Sequence, residues 1–209
     1  MSFPTRSNGE VIDASHINDL QTAVTALQAV PPLYPSNIFS QAGAFSNTPR
    51  ELATSVSAIT SADRIVSGFI AAQSMTVANA TIYVSTTHAS AGSAYIALYS
   101  LDSIGDGTLI AVTASTTSLF TALGKKTVAF AASAALVAGN AYAVGLFYTT
   151  GTNPQVRAVP GIQTDIGHGI KQPWSAARFT GSAAPPSTSF TYAGITPVSG
   201  SVPYVEFTP

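Results

Sequence analysis

The sequence contains no cysteine, which excludes disulfide bonds and thiolate metal sites. Without such cross-links the fold depends on the burial of apolar side chains, and a chain of 209 residues can bury a substantial core. The lack of cysteine also fits synthesis in a reducing cytoplasm.

Charged residues are scarce as well. They make up 8% of the chain, whereas typical soluble domains contain about 25%. The formal net charge is -1, so copies of the chain repel each other weakly, which favours a subunit of a larger assembly. No basic run is longer than Lys125-Lys126, so the sequence offers no footprint for a phosphate backbone. We therefore predict no nucleic-acid partner.

The beginning of the chain lacks a basic segment followed by an apolar one, so we expect no secretory signal. Residues 127–148 carry no charge over about the length that spans a bilayer. Small residues interrupt this stretch, and its apolar positions partly alternate around Gly139 and Asn140. This pattern predicts two strands joined by a turn at 138–140, and no membrane partner.

The clearest structural signal lies in the middle of the chain. Residues 94–101 read AYIALYSL and residues 108–112 read TLIAV, with Gly105-Asp-Gly107 between them. Two apolar, aromatic and β-branched runs separated by an Asp-Gly pair predict an antiparallel hairpin. We expect this hairpin at the centre of an antiparallel sandwich.

Similar short runs flank the hairpin. Val56 and Ile59 fit a first strand, and further strands are expected at 64–70, 75–84, 126–130, 141–148, 155–159 and 202–207. Short strands at this spacing, separated by Gly, Asn and Ser, predict a mainly β protein with a jelly-roll-like antiparallel β-sandwich. The pattern loosens after Thr149 and indicates no second core. Residues 36–209 are therefore expected to form one sandwich domain.

The N-terminal segment has a different pattern. Residues 1–12 are expected to be extended, and Asp13 is a candidate N-cap for one short α-helix that ends before Pro31-Pro32. The 3,4,3 spacing of its apolar residues places four of them on one stripe: Ile17, Leu20, Val24 and Leu27. The stripe either packs on its own domain or joins subunits. The Pro-rich spacer up to residue 35 favours the second interpretation, in which residues 1–35 dock and oligomerise the chain.

No residue pattern specifies a reaction. Asp102 and Asp106 flank a turn and could meet the spacing of glycosidase carboxylates, but polar residues in hairpin loops are ordinary. They also lack the alternating oxygen donors of a calcium loop. His16, His88 and His168 are dispersed, and Asp165-x-x-His168 is the best candidate for a metal on a threefold axis. We predict a protein that is not an enzyme and holds no cofactor or metal.

Two sets of motifs resemble proteins of tailed-bacteriophage particles. Residues 9–24, GEVIDASHINDLQTAV, resemble the stretch that begins a docking helix in many tailed-phage virion proteins. Residues 75–84, 94–99, 136–145 and 202–207 resemble the β-domains of phage fibre and adhesion proteins. The resemblance implies a non-enzymatic virion component, commonly a homotrimer, that is assembled in the host cytoplasm and binds other capsid or tail proteins.

Two functions follow from this resemblance. The first is a head decoration or short fibre subunit, anchored through its N-terminal segment, that projects the sandwich outward. The alternative is a tail-associated receptor-binding protein that adheres to a host cell-surface polysaccharide. Its candidate glycan contacts are Trp174, Arg178 and Tyr192, since sugar recognition needs an exposed aromatic ring with polar groups nearby. Trp174 has a second interpretation, in which it closes the end of the core.

Overall fold

The fold is given by a computed structural model. The structure describes residues 18, 22, 45–48, 52–59, 63–88, 92–149, 151–160, 177–180, 186–194, 196–197 and 201–209, with side chains for all of these except 63–65, 177–180 and 196–197. The chain divides into two compact units, Met1–Leu33 and Tyr34–Pro209. In the first unit Asn18 and Thr22 have helical backbone and are exposed, and Thr22 Oγ1 donates a hydrogen bond of 2.8 Å to the Asn18 carbonyl oxygen. The rest of the predicted arm, helix and spacer lies outside the described residues.

The described part of the second unit is mainly β. Its strands are β1 Phe45–Ser46, β2 Ser55–Ala58, β3 Asp63–Ile70, β4 Met75–Thr86, β5 Ala94–Leu101, β6 Gly107–Val112, β7 Gly124–Leu136, β8 Ala141–Tyr148, β9 Gln155–Val159, β10 Ala177–Thr180, β11 Ser189–Phe190, β12 Thr196–Pro197, β13 Val202–Pro203 and β14 Glu206–Thr208.

These strands form two seven-stranded sheets in which every described pairing is antiparallel. In sheet A the path is β1-β14-β4-β9-β13, with β2 paired to β9 and β7 paired to β4. In sheet B the order is β11-β6-β5-β8-β3-β10-β12. Four pairings are nested along the chain, because β5 pairs with β6, β4 with β7, β3 with β8 and β2 with β9. The prediction of a mainly β protein with antiparallel sheets is confirmed.

The predicted central hairpin is present as β5 and β6. The register pairs Ala97 with Val112 and Leu101 with Gly107, with an irregularity after Leu98. In the turn Gly105 has a φ of 97°, a conformation that glycine adopts without steric cost. The two strands therefore end where the Asp-Gly pair predicts.

The uncharged stretch 127–148 contributes to β7 and β8, as the sequence predicts. The turn between them contains Gly139, whose φ is 83°. β7 lies in sheet A and β8 in sheet B, so the turn carries the chain from one sheet to the other. No helix among the described residues has the length and apolar character needed to cross a membrane.

The main core contains side chains from both sheets. Sheet A contributes residues such as Val77 and Ile82, and sheet B contributes Leu98 and Val144, all of them buried. At one place the core is aromatic: the ring of Phe207 lies 5.5 Å from that of Phe69 and 6.3 Å from that of Phe45. Burial of these large side chains takes the place of the missing cross-links.

A second apolar cluster lies on the other face of sheet B. Its buried residues are Val66, Ala97, Tyr99, Ala143, Phe147 and Phe190. It forms because β5 and β8 are apolar on both faces, a pattern typical of strands that are covered on both sides. Phe190 comes from β11, so the C-terminal region supplies part of this cover.

Other strands differ from the predictions in length. β7 begins two residues before the predicted strand and continues to Leu136, and β4 continues to Thr86. The predicted closing strand is divided into β13 and β14, which pair with β9 and β4 respectively. Strands β10, β11 and β12 were not predicted.

Asn47 links the two sheets through its side-chain amide. Nδ2 donates to the Pro203 carbonyl oxygen at 2.8 Å and to Ser67 Oγ at 3.1 Å, and Oδ1 accepts from the Val205 N–H at 2.8 Å. Ser67 lies in β3 of sheet B, whereas Pro203 and Val205 belong to the segment that forms β13 and β14 of sheet A. One side chain thus satisfies polar groups from both sheets.

Candidate functional site

Most of the predicted site residues lie outside the described residues. These are Ile17, Leu20, Val24, Leu27, Asp165, His168 and Trp174. Arg178 lies in β10, where it is the partner of Ile65 in β3. Tyr192 is half-buried and begins a short 3-10 helix, Tyr192–Gly194. Among the three predicted glycan contacts, Tyr192 is the residue whose surroundings the structure describes.

Asp102 organises the β5–β6 turn. Its Oδ1 accepts hydrogen bonds from the backbone N–H groups of Ile104 at 3.0 Å, Gly105 at 2.8 Å and Asp106 at 2.9 Å. Aspartate favours turns because its side chain can accept from backbone groups a few residues further along the chain. The carboxylate of Asp102 therefore holds the turn in shape.

Asp106 connects this turn to the C-terminal region. Its Oδ1 accepts a hydrogen bond of 2.7 Å from the backbone N–H of Tyr192. The two carboxylates that the sequence places beside the turn thus have different partners, one within the turn and one outside it. Among the described residues, no group of three or more His, Cys, Asp and Glu side chains is placed to hold a metal ion.

Phe190 brings the segment 186–194 to the turn. It pairs with Gly107 of β6, and its ring meets that of Tyr99 edge-on at 5.0 Å. A Cβ atom on Gly107 would overlap the Phe190 ring, so the glycine makes room for it. The Tyr99 hydroxyl donates a hydrogen bond of 3.2 Å to the Ser187 carbonyl oxygen. Tyr192 is therefore held near Asp106 by an anchor two residues before it.

Sequence reasoning missed this anchor. It treated Gly107 as a turn residue alone, whereas the missing side chain of Gly107 also accommodates Phe190. The available signal was the pair of aromatic residues Tyr95 and Tyr99, which alternate with the core-facing residues of β5 and so require a cover on the outer face.

The β5–β6 turn shares its end of the sheets with two other loops. The register places Ile70 beside Ala141 and Ser100 beside Tyr142, so β3, β5 and β8 reach this end together. The β3–β4 and β7–β8 loops are joined here by hydrogen bonds, with Gly139 N–H donating to the Ala71 carbonyl oxygen at 2.8 Å. We call residues 70–74, 102–106 and 137–140 the acidic end, because Asp102 and Asp106 are their only charged residues.

Three large aliphatic side chains are exposed at the acidic end. Ile104 is 56% exposed, Ile70 is 52% exposed and Val137 is 50% exposed, and each comes from a different loop or strand end. They lie on the same end as the half-buried Tyr192. This end therefore combines apolar side chains, two carboxylates and one tyrosine.

At the opposite end of the sheets, residues 119–126 carry the opposite charge. Leu119 and Phe120 are buried and close the core there, and the following residues 121–125 are all exposed. Leu123 is 65% exposed and directly precedes Gly124, Lys125 and Lys126. We call residues 119–126 the lysine end, because these lysines are its only charged residues.

His88 also lies at this end but inside the structure. It is buried, and its ring lies 5.5 Å from that of Tyr148 and 6.2 Å from that of Phe120. Its backbone N–H donates to the Phe120 carbonyl oxygen at 3.1 Å. The sequence identified His88 as too isolated for a metal motif, and the structure describes it in an aromatic packing site.

Comparison of the sequence with models of known protein families finds no match, and comparison with curated proteins finds none either.

Proposed function

We propose that the protein is a non-enzymatic structural subunit of a tailed-phage particle, either a head decoration or a short fibre protein. The observation that carries the proposal is the nested pairing of eight strands, β2 to β9, in two antiparallel sheets. The resemblance of residues 9–24 to virion docking segments is a separate, sequence-based reason. In this function the second unit, Tyr34–Pro209, which we call the β unit, projects outward, and the N-terminal segment anchors it.

The nested pairing supports a finer assignment of the fold, a jelly-roll sandwich. In this proposal β2, β9, β4 and β7 form one sheet and β3, β8, β5 and β6 form the other, with the remaining strands added at the edges. Jelly rolls occur in viral capsid domains and in lectins, so the architecture is compatible with an assembly role and with glycan binding. An extended arm and one short helix would precede the sandwich. Fold alone does not establish either function.

Anchoring would depend on the apolar stripe of the N-terminal helix, formed by Ile17, Leu20, Val24 and Leu27. Burial of these side chains against other subunits or against capsid or tail proteins would stabilise the contact. The subunit would form a homo-oligomer, with a trimer favoured by the family resemblance. The chain would be assembled into the particle in the host cytoplasm.

A second candidate function is receptor binding at the acidic end. The observation that favours it is the position of Tyr192, a half-buried residue whose backbone N–H donates to Asp106 at an end composed of loops. Aromatic rings with adjacent carboxylates suit sugars, because the ring stacks on the sugar face and the carboxylate accepts its hydroxyl groups. In this function the protein would sit on the tail and bind a host polysaccharide, with Trp174 and Arg178 as further contacts.

Particle incorporation tests the first function. Tagged full-length protein would be produced in infected host cells, and purified particles would be probed with gold-labelled antibody in the electron microscope. We expect label on particles for the wild type and its loss for Leu20→Glu/Val24→Glu. The matched control Asn18→Glu/Thr22→Glu changes exposed positions of the same segment and should be incorporated. Particles without label in the wild type would reject the proposal.

Cell binding separates the second function from the first. The intact oligomer would be incubated with host cells, and Tyr192→Ala would be compared with the neighbouring exposed control Thr191→Ala. Loss of adhesion in Tyr192→Ala alone would support receptor binding. Absence of adhesion by the wild-type oligomer would leave only the structural function.

A further inference from the structure

The two ends of the β unit are complementary to each other. We infer that the acidic end of one copy binds the lysine end of another copy, so that β units associate head to tail along the strand direction. This contact uses only described residues of the β unit. It goes beyond the proposed function, since it does not depend on the N-terminal stripe or on the particle that carries the protein.

The two ends carry charges of opposite sign. The acidic end carries Asp102 and Asp106 without a basic residue, and the lysine end carries Lys125 and Lys126 without an acidic one. In a chain with only 8 basic and 9 acidic residues, this separation gives each end a definite sign. Two acidic ends or two lysine ends would repel each other.

Both ends also expose large aliphatic side chains. Ile70, Ile104 and Val137 at the acidic end would be covered by the lysine end, where Leu123 is the most exposed large hydrophobic residue of the described chain. In a specific contact, apolar side chains of the two surfaces typically face each other. The charges around them have one sign on one surface and the opposite sign on the other. Each end therefore offers exposed aliphatic side chains and charges that are complementary to those of the other end.

The geometry of the contact is heterologous, because two different surfaces of the same chain meet. Such contacts repeat, so they form a ring when the rotation closes and a filament when it does not. A contact between two copies of the same end would instead stop at a pair. This difference allows the inference to be tested with pairs of variants.

The test uses two variants of the full chain, each with one end altered. Variant one is Ile70→Ser/Ile104→Ser, and variant two is Leu123→Ser/Lys125→Ala; all four side chains are exposed. Sedimentation velocity would measure the mass of each alone and of a fresh equimolar mixture. Each variant alone should lose the head-to-tail contact, with association weakened about tenfold or more. The mixture should give a species heavier than either variant alone, because variant one retains its lysine end and variant two its acidic end.

A charge-neutral variant tests the electrostatic contribution. Asp102→Asn/Asp106→Asn removes both charges but retains the Oδ1 acceptors that hold the turn and Tyr192. We expect association to weaken severalfold and to lose most of its dependence on salt. Leu52→Ser is the matched control, since Leu52 is 52% exposed and belongs to neither end. It should behave as the wild type.

Two results would overturn the inference. One is a wild-type mass equal to that of both variants at every concentration tested. The other is a failure of the mixture to form a species heavier than either variant alone while the wild type associates through its ends, which would indicate a contact between like ends. Neither result bears on particle incorporation, which depends on the N-terminal stripe, so failure of one proposal is distinguishable from failure of the other.

Discussion

Strands β5 and β7 differ in how much of their side-chain surface is buried, and in the residue types at their buried and exposed positions. β5 lies between β6 and β8 in sheet B, and its side chains enter the main core on one face and the second cluster on the other. β7 pairs with β4 in sheet A, and most of its residues are exposed. The exposed positions of β7 between its lysines and its end carry only Thr, Ala and Ser. Side-chain size, more than charge, separates buried from exposed positions here.

The small size of the exposed side chains affects solubility as well as folding. A surface of small uncharged side chains presents little apolar area at any point, but it also repels other copies weakly. The few large exposed residues therefore stand out, and three of the six in the described part of the chain lie at the acidic end.

The largest effect is expected from truncating a buried leucine of β5. Leu98 is 0% exposed in the main core, and Leu98→Ala should lower the free energy of unfolding by about 2–5 kcal/mol through lost burial and the cavity left behind. Leu123→Ala, just before β7, should change it by less than about 0.5 kcal/mol. Urea denaturation measures both. Equal losses for the two variants would refute the contrast between the strands.

A smaller effect on stability is expected at Gly107, which leaves room for the Phe190 ring. Gly107→Ala would force the Phe190 ring away from β6 and should lower the free energy of unfolding by about 1–3 kcal/mol. Gly194→Ala is the control, because the nearest atom to its new Cβ is Thr191 Oγ1 at 3.4 Å. In a Phe190→Ala background most of the Gly107→Ala effect should disappear. An unchanged effect in that background would show that the ring is not the cause.

Asn47→Ala should have a comparable or smaller effect. It leaves the Pro203 carbonyl oxygen and the Val205 N–H without their side-chain partner, which costs about 1–3 kcal/mol when such groups are buried. Asn79→Ala is the matched control, since its hydrogen bond to the Pro209 carbonyl oxygen is exposed. Thermal unfolding should separate the two. A larger destabilisation in the control would contradict the bridging function of Asn47.

The smallest effect concerns the turn at the acidic end. Asp102→Ala removes the acceptor of three backbone N–H groups and should lower the free energy of unfolding by about 1 kcal/mol. Asp102→Asn retains the acceptor oxygen and should have less than half of this effect. Denaturant titration of the two variants checks the order, and the reverse order would contradict the assigned hydrogen bonds.

The sequence predicts the strands that combine a strong pattern with a clear boundary. The bounds of β5, β8 and β9 agree with the prediction, because the apolar runs there are bounded by Asp, Asn or Pro. The short strands β10, β11 and β12 were missed because they have two to four residues and owe their conformation to β3 and β6. A local pattern does not reveal a strand that depends on a distant partner.

The candidate site was less predictable than the fold. Tyr192 was selected for its aromatic ring, but its neighbour Asp106 is 86 residues away in the sequence. Ile70, Ile104 and Val137 read as ordinary strand or loop residues, and their common exposure at one end follows from the pairing of β3, β5 and β8. Such convergence depends on topology, which the sequence pattern alone leaves open.

We propose that this protein assembles with other subunits through its N-terminal apolar stripe. Sedimentation equilibrium of the full chain, compared with Leu20→Glu/Val24→Glu, is the decisive measurement. We expect a closed oligomer in the wild type and a smaller species in the variant, with the β unit still folded by circular dichroism. A wild-type protein that remains a monomer at every concentration would refute assembly through the stripe.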